Sequence, residues 1–135
     1  MLWYVQYAHA RVQSVRARAR EEFDSAIDAA LVDADLARLE QPTEIALIRQ
    51  LASWSRLVES AAEAHEPHRV AFYLYELASA FHSWYQSGNA DAELRMIRSG
   101  DRVTTRARLA LTEAVGAVVA SGLQVFGVEP LMEMR

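Results

Sequence analysis

The sequence contains no cysteine, which removes disulfide frameworks, thiol catalysis and most structural zinc sites. It contains no lysine either, so all 14 basic side chains are arginine. Such a bias suits planar recognition of phosphate and base edges, although its simpler cause is a G+C-rich genome. Glycine and proline are scarce, at five and three residues, and no phosphate-cradling loop can be written from them. No stretch approaches the 18 or more uninterrupted apolar residues of a membrane span, and the first residues lack the basic flank and small-residue cleavage site of a secretory signal. A cytoplasmic protein with no membrane partner is the expectation. Strand-like alternation, internal repeats and low-complexity tracts are also missing.

What is present is enough for a packed core. In 135 residues, 52% are apolar and 24% charged, the balance of one ordinary globular domain. The net charge of −4 is unfavourable for a nucleic-acid binder until its distribution is read. Between Glu21 and Glu44 eight acids face the single base Arg38, so the remainder of the chain is net positive.

Val5, Ala8, Val12, Val15 and Ala19 follow the three-four spacing of one helix face, and Arg11, Arg16, Arg18 and Arg20 lie on the other. The spacing predicts a helix from the start to about Arg20. From Phe23 to Leu39 the apolar pattern is ragged and negative charge is dense, so residues 23–39 read as an acidic insertion, helical or partly ordered, and removal of the charged, solvated element from Asp28 to Asp35 is expected to leave the helical fold largely intact. Pro42 and Thr43 open a short helix through Ile45, Leu47, Ile48 and Leu51, followed by another over Arg56 to Ala64. After Pro67, the stripe Val70, Tyr73, Leu74, Leu77, Ala78, Phe81, Trp84 and Tyr85 marks the central buried helix. A loop with one helical turn follows Gly88 to Asp91. A last helix runs from Val103 to about Phe126, with Gly127 placed to end it. The fold class is therefore an all-α bundle of five or six helices, one domain over residues 1–135.

Nothing in the pattern is catalytic. His65 and His68 straddle the bend at Pro67 and make a polar helix entrance rather than half a metal site. His9 and His82 read as hydrogen-bonded structural histidines, since no nucleophile or carboxylate constellation accompanies them. Aromatic residues cluster at helix ends instead: Trp3, Tyr4 and Tyr7 at the start, Trp84 and Tyr85 at the close of the central helix. Rings at helical spacing are usually core, but at helix ends they can also stack on unpaired RNA bases, with arginine supplying phosphate and cation–π contacts.

Four blocks carry a family resemblance. They are Trp3 through Val12 (WYVQYAHARV), Thr43 through Leu51 (TEIALIRQL), Glu66 through Tyr85 (EPHRVAFYLYELA, then FHSWY), and Thr105 through Pro130 (TRARLAL, SGL, GVEP). In this order they resemble the DALR anticodon-binding domain of arginyl-tRNA synthetases, over nearly the whole chain.

The resemblance implies a helical bundle that grips the tRNA anticodon loop and supports arginine attachment in translation. A separate catalytic domain, a second expected partner, would use ATP with magnesium. Neither of that domain's signatures, HIGH or KMSKS, occurs here, so no catalytic site and no cofactor are expected within the chain. The family's entry motif would begin before Met1, which gives the chain the look of a fragment whose exposed domain interface favours self-association. The family's RNA contacts fall by position on Tyr4, Tyr7, Arg11 and Tyr85. Its terminal methionine falls on Met134, where a glutamate, Glu133, stands in place of the usual preceding arginine. The competing reading is a helical protein-interaction or dimerisation module without RNA binding.

Overall fold

The computed structural model describes residues 2–134. Five α-helices run in the order α1 (Leu2–Glu22), α2 (Pro42–Ala52), α3 (Trp54–Glu63), α4 (His68–Ala90) and α5 (Arg102–Val125). Only Ser53 separates α2 from α3, so the two form an almost continuous bent rod and the five helices make four helical limbs. There is no strand among the described residues.

The core forms where the apolar stripes of α1, α4 and α5 meet. Val5, Ala8, Val12, Val15 and Ala19 are buried along α1, and Leu74, Leu77, Phe81 and Trp84 along α4. From α5 come Val115, Val119 and Leu123, all fully buried. By length and composition α5 is apolar enough to cross a membrane, but half of that stretch is covered here and walls the core. Its end follows from Gly127, whose φ of 69° is the left-handed conformation that glycine accepts most easily. With it in place, the Val128 amide donates to the Leu123 carbonyl and the Gly127 amide to that of Gln124. These two bonds are the reciprocal pair of a Schellman cap. The end of α3 is built likewise around His65, at φ 54°, with Glu66 donating to Ala61. That histidine serves the turn between α3 and α4, while His68 pairs with Glu66 at 3.8 Å.

A buried ion pair ties the bundle across its middle. Glu44, on the first turn of α2, is fully buried, and its Oε2 accepts from Arg108 Nε at 3.0 Å and from Trp84 Nε1 at 3.2 Å. Its Oε1 accepts from the Gln41 amide, so the same carboxylate caps α2. Arg108 also donates to the carbonyls of Glu93 and Arg95, at 2.8 and 2.6 Å, which pins the loop between α4 and α5. A charge buried this deeply is tolerated only when paired and hydrogen-bonded throughout, as both groups are.

The expectation that Asp28 to Asp35 form a wholly solvated element is corrected, because Asp28 and Leu31 are buried while most of residues 23–39 is exposed. The segment consists of turns and two short 3₁₀ helices, Leu31–Asp33 and Leu36–Arg38, lying against α5. Ile27, Leu31 and Leu39 are buried in the common core. Asp28, only 9% exposed, accepts from Arg16 and Arg20 of α1, with the closest approach 2.6 Å from Arg20. Those bonds, Arg20's foremost, hold its carboxyl below the usual carboxylate range despite burial. Arg106 of α5 donates to the carbonyls of Ile27, Ala29 and Ala30, replacing the backbone partners an irregular chain lacks. Asp28, and Asp24 through Arg102 of α5 at 3.0 Å, are thus matched by arginines on neighbouring helices.

Candidate nucleic-acid interface

On α1, Tyr4, Tyr7 and Arg11 are spaced three and four apart and share a face. On α4, Tyr75, His82 and Tyr85 are spaced seven and three apart and do the same. Where these faces pack, Arg11 becomes the centre. Its guanidinium carbon lies 4.7 Å from the ring centre of Tyr7 and 4.2 Å from that of Tyr85. One terminal nitrogen donates to the Tyr7 hydroxyl at 2.7 Å. The other is 3.0 Å from Nδ1 of His82. A cation held against two ring faces keeps its plane fixed while its charge has no carboxylate partner among the described residues.

His82 is the residue the sequence reading undervalued. A guanidinium only donates, so Nδ1 must be the accepting nitrogen and the ring proton sits on Nε2. That atom is buried and has no hydrogen-bond partner among the described residues. Burial, and then the positive charge of Arg11, push the imidazole pKa down to about 4. The Tyr4 backbone acts in the opposite direction without reaching hydrogen-bond geometry. The histidine therefore stays neutral and presents a lone pair to Arg11, with the rings of Tyr4 and Tyr7 about 5 Å away, at 4.9 and 5.1 Å. Its position three residues before Tyr85 was the available signal, since that spacing puts both on one face.

The tail after α5 returns to the same place. The Gln6 side chain donates to the Glu129 carbonyl and accepts from the Leu131 amide, both at 2.8 Å. His9 Nδ1 donates to the Leu131 carbonyl at 2.5 Å. These three bonds lay Met132, Glu133 and Met134 beside α1. Together with Tyr7, Arg11 and Tyr85 they enclose a hollow of about 530 Å³. Four sequence-selected residues, Tyr7, Arg11, Tyr85 and Met134, thus border one open recess. Tyr4 does not. It stands behind His82, half-buried, with its ring 5.1 Å from that of Tyr75.

A second hollow, of about 520 Å³, lies on the far side of Tyr85 and includes Arg18, Gly88, Asn89 and Arg95. Arg18 donates to the Tyr85 hydroxyl at 2.8 Å, so the phenol is held from both sides by arginines of α1. No residue of the acidic segment 23–39 lines either hollow. The described residues contain no group of three or more histidine, aspartate or glutamate side chains placed to hold a metal ion.

Comparison with known proteins places the chain in a family. Residues 5–134 match the model of the family described as the DALR anticodon binding domain. The chain is 55% identical to an arginine–tRNA ligase of Rhodospirillum rubrum and 53% identical to one of Cereibacter sphaeroides, in each case over 99% of its own length and 23% of the relative's. A crystal structure assigned to an arginyl-tRNA synthetase of Campylobacter jejuni superposes with a TM-score of 0.78 at 26% identity. That match covers 98% of this chain and 26% of the other. The chain therefore spans about a quarter of the length of the curated relatives it matches.

Proposed function

The chain belongs to the DALR anticodon-binding family, and on that premise we propose that it grips the anticodon loop of a tRNA as part of an arginine–tRNA ligase. Its task is positioning: holding the loop so that the acceptor end reaches an active site elsewhere in the ligase. The single observation that carries this reading is the recess around Arg11, where two tyrosines, a fixed guanidinium and the Met134 thioether converge on one opening. An unstacked base entering it meets aromatic and apolar walls and a planar donor, the combination that single-stranded RNA recognition uses. In this reading Tyr7 and Tyr85 supply ring faces and hydroxyls, Arg11 a base-edge or phosphate contact, and Met134 the apolar wall. Tyr4 supports the recess through His82.

Arginine activation with ATP and magnesium is assigned to the remainder of the ligase, working in the cytoplasm where translation runs. For docking against that catalytic part, the chain offers an apolar groove between Leu31–Leu39, α2 and α5, with Val32, Leu36 and Ile48 exposed. The RNA reading is tested by titrating the chain with an arginine-tRNA anticodon stem-loop at several salt concentrations. Binding that weakens with salt and is competed by that stem-loop more than by an unrelated one supports it. Absence of binding favours the helical interaction module.

A further inference from the structure

The chain has no cysteine, so its only sulfur atoms are the thioethers of four methionines. Met1 lies outside the described residues, and Met96 is buried in the core with the Thr112 hydroxyl 3.9 Å from its sulfur. Met132 and Met134 stand apart from these, on the non-helical tail after α5, and both border the hollow around Arg11. Met132 is 64% exposed and Met134 partly so. The bonds that dock the tail do not involve either side chain, because Gln6 and His9 engage backbone atoms of Glu129 and Leu131, before both sulfurs. A thioether that solvent reaches is where an oxidant acts first, and here no thiol of the chain competes for it.

We propose that Met132 and Met134 form a peroxide-sensitive modification site, and that a sulfoxide at Met134 lowers the affinity of the recess for RNA. The inference rests on the anticodon-loop reading of that recess. In the step, a sulfur lone pair attacks one oxygen of hydrogen peroxide, an S–O bond forms and the O–O bond breaks. The departing hydroxide takes the proton of the transferred oxygen and leaves as water, so sulfur is oxidised by the two electrons that reduce the peroxide. The product is polar where the thioether was apolar, which spoils the wall that an inserted base would face. Its oxygen is also an acceptor, at the same hollow as Arg11, whose guanidinium donates to Tyr7, approaches His82 and has N–H groups to spare. The sulfoxide therefore competes with RNA for that cation. The backbone bonds that dock the tail are untouched, so the fold keeps its stability. Reversal takes a methionine sulfoxide reductase and a dithiol, which yield the thioether, a disulfide and water.

The test treats the chain with hydrogen peroxide, locates the added oxygen by peptide mass spectrometry, and measures affinity for an arginine-tRNA anticodon stem-loop before and after. Met132→Leu and Met134→Leu are treated alongside, each compared with its own untreated form. Met132 and Met134 should gain oxygen well before Met96. The oxidised chain should bind about tenfold more weakly with an unchanged melting temperature, the scale of setting one polar group against an apolar face without a partner. Met132→Leu should lose affinity on treatment as the unaltered chain does, whereas Met134→Leu should lose less than about twofold, and reductase with dithiol should restore the unaltered chain. If the tail is oxidised and binding stays within about twofold, if Met134→Leu loses affinity as the unaltered chain does, or if Met96 oxidises as fast as the tail, the switch is overturned while the RNA reading stands. No stem-loop binding by the untreated chain overturns both.

Discussion

Nδ1 of His82 faces a terminal nitrogen of Arg11 at 3.0 Å, and this one contact fixes the tautomer of a buried histidine. The depressed pKa has a stability consequence. In the unfolded chain the imidazole takes a proton near its ordinary value of about 6.5, whereas in the fold it does so only near 4. The unfolded state therefore binds more protons between these values, and stability falls as pH drops from about 6.5 to about 4, by up to about 3 kcal/mol. Asp28 adds a second loss at lower pH, since its carboxyl is held below the ordinary range and its contribution disappears as that group protonates. Denaturant unfolding of the chain and of His82→Asn from pH 8 to 4 checks the first step. The variant should lack the loss between pH 6.5 and 4, and equal pH dependence in both would assign it elsewhere.

Residues 28–35 should be indispensable. Deleting them removes the Leu31 side chain from the core and leaves Arg16 and Arg20 without the carboxylate they share. Leu31→Ala alone is expected to cost about 2–5 kcal/mol through lost burial and the cavity left behind. Circular dichroism melting of both variants should show a lowered midpoint, with the deletion losing its cooperative transition.

Arg108→Ala should destabilise the chain by about 3–5 kcal/mol, because Glu44 keeps its burial and loses its charge partner. Replacing both partners by apolar residues of similar size should cost less than the single change. Urea unfolding of the three proteins measures this, and a double variant less stable than Arg108→Ala would contradict it.

The helices were legible because burial leaves a period. The stripe from Val70 to Trp84 and the face from Val5 to Ala19 are both readable at three-four spacing, and both are buried where that spacing puts them. Gly127 was equally plain, as a glycine just past the last apolar position. What the sequence hid are pairings across long separations. Glu44 reads as one more acid at the end of an acidic run, and nothing local reveals that Arg108, on another helix, meets it in the core. Asp28 was misread for the same reason, its partners lying on α1. At the site, Tyr7, Arg11 and Tyr85 were reachable from aromatic clustering and family resemblance. Arg18 at the Tyr85 hydroxyl, and Gln6 and His9 holding the tail that carries Met134, depend on how α1 meets α4 and the tail.

The central claim, that the recess walled by Tyr85 holds an anticodon base, is tested most directly by comparing Tyr85→Ala with Phe81→Ala in stem-loop affinity and thermal stability. Phe81, one turn earlier, is fully buried, whereas Tyr85 is half-buried and borders both hollows. Phe81→Ala should cost about 3–5 kcal/mol of stability, as deletion of a core ring does. Tyr85→Ala should keep most of the fold and weaken stem-loop binding by about 1–3 kcal/mol, the range for removing one stacking face. If Tyr85→Ala instead lowers the melting temperature as much as Phe81→Ala while its folded fraction binds the stem-loop with unchanged affinity, Tyr85 is a core residue and the recess is not the RNA site.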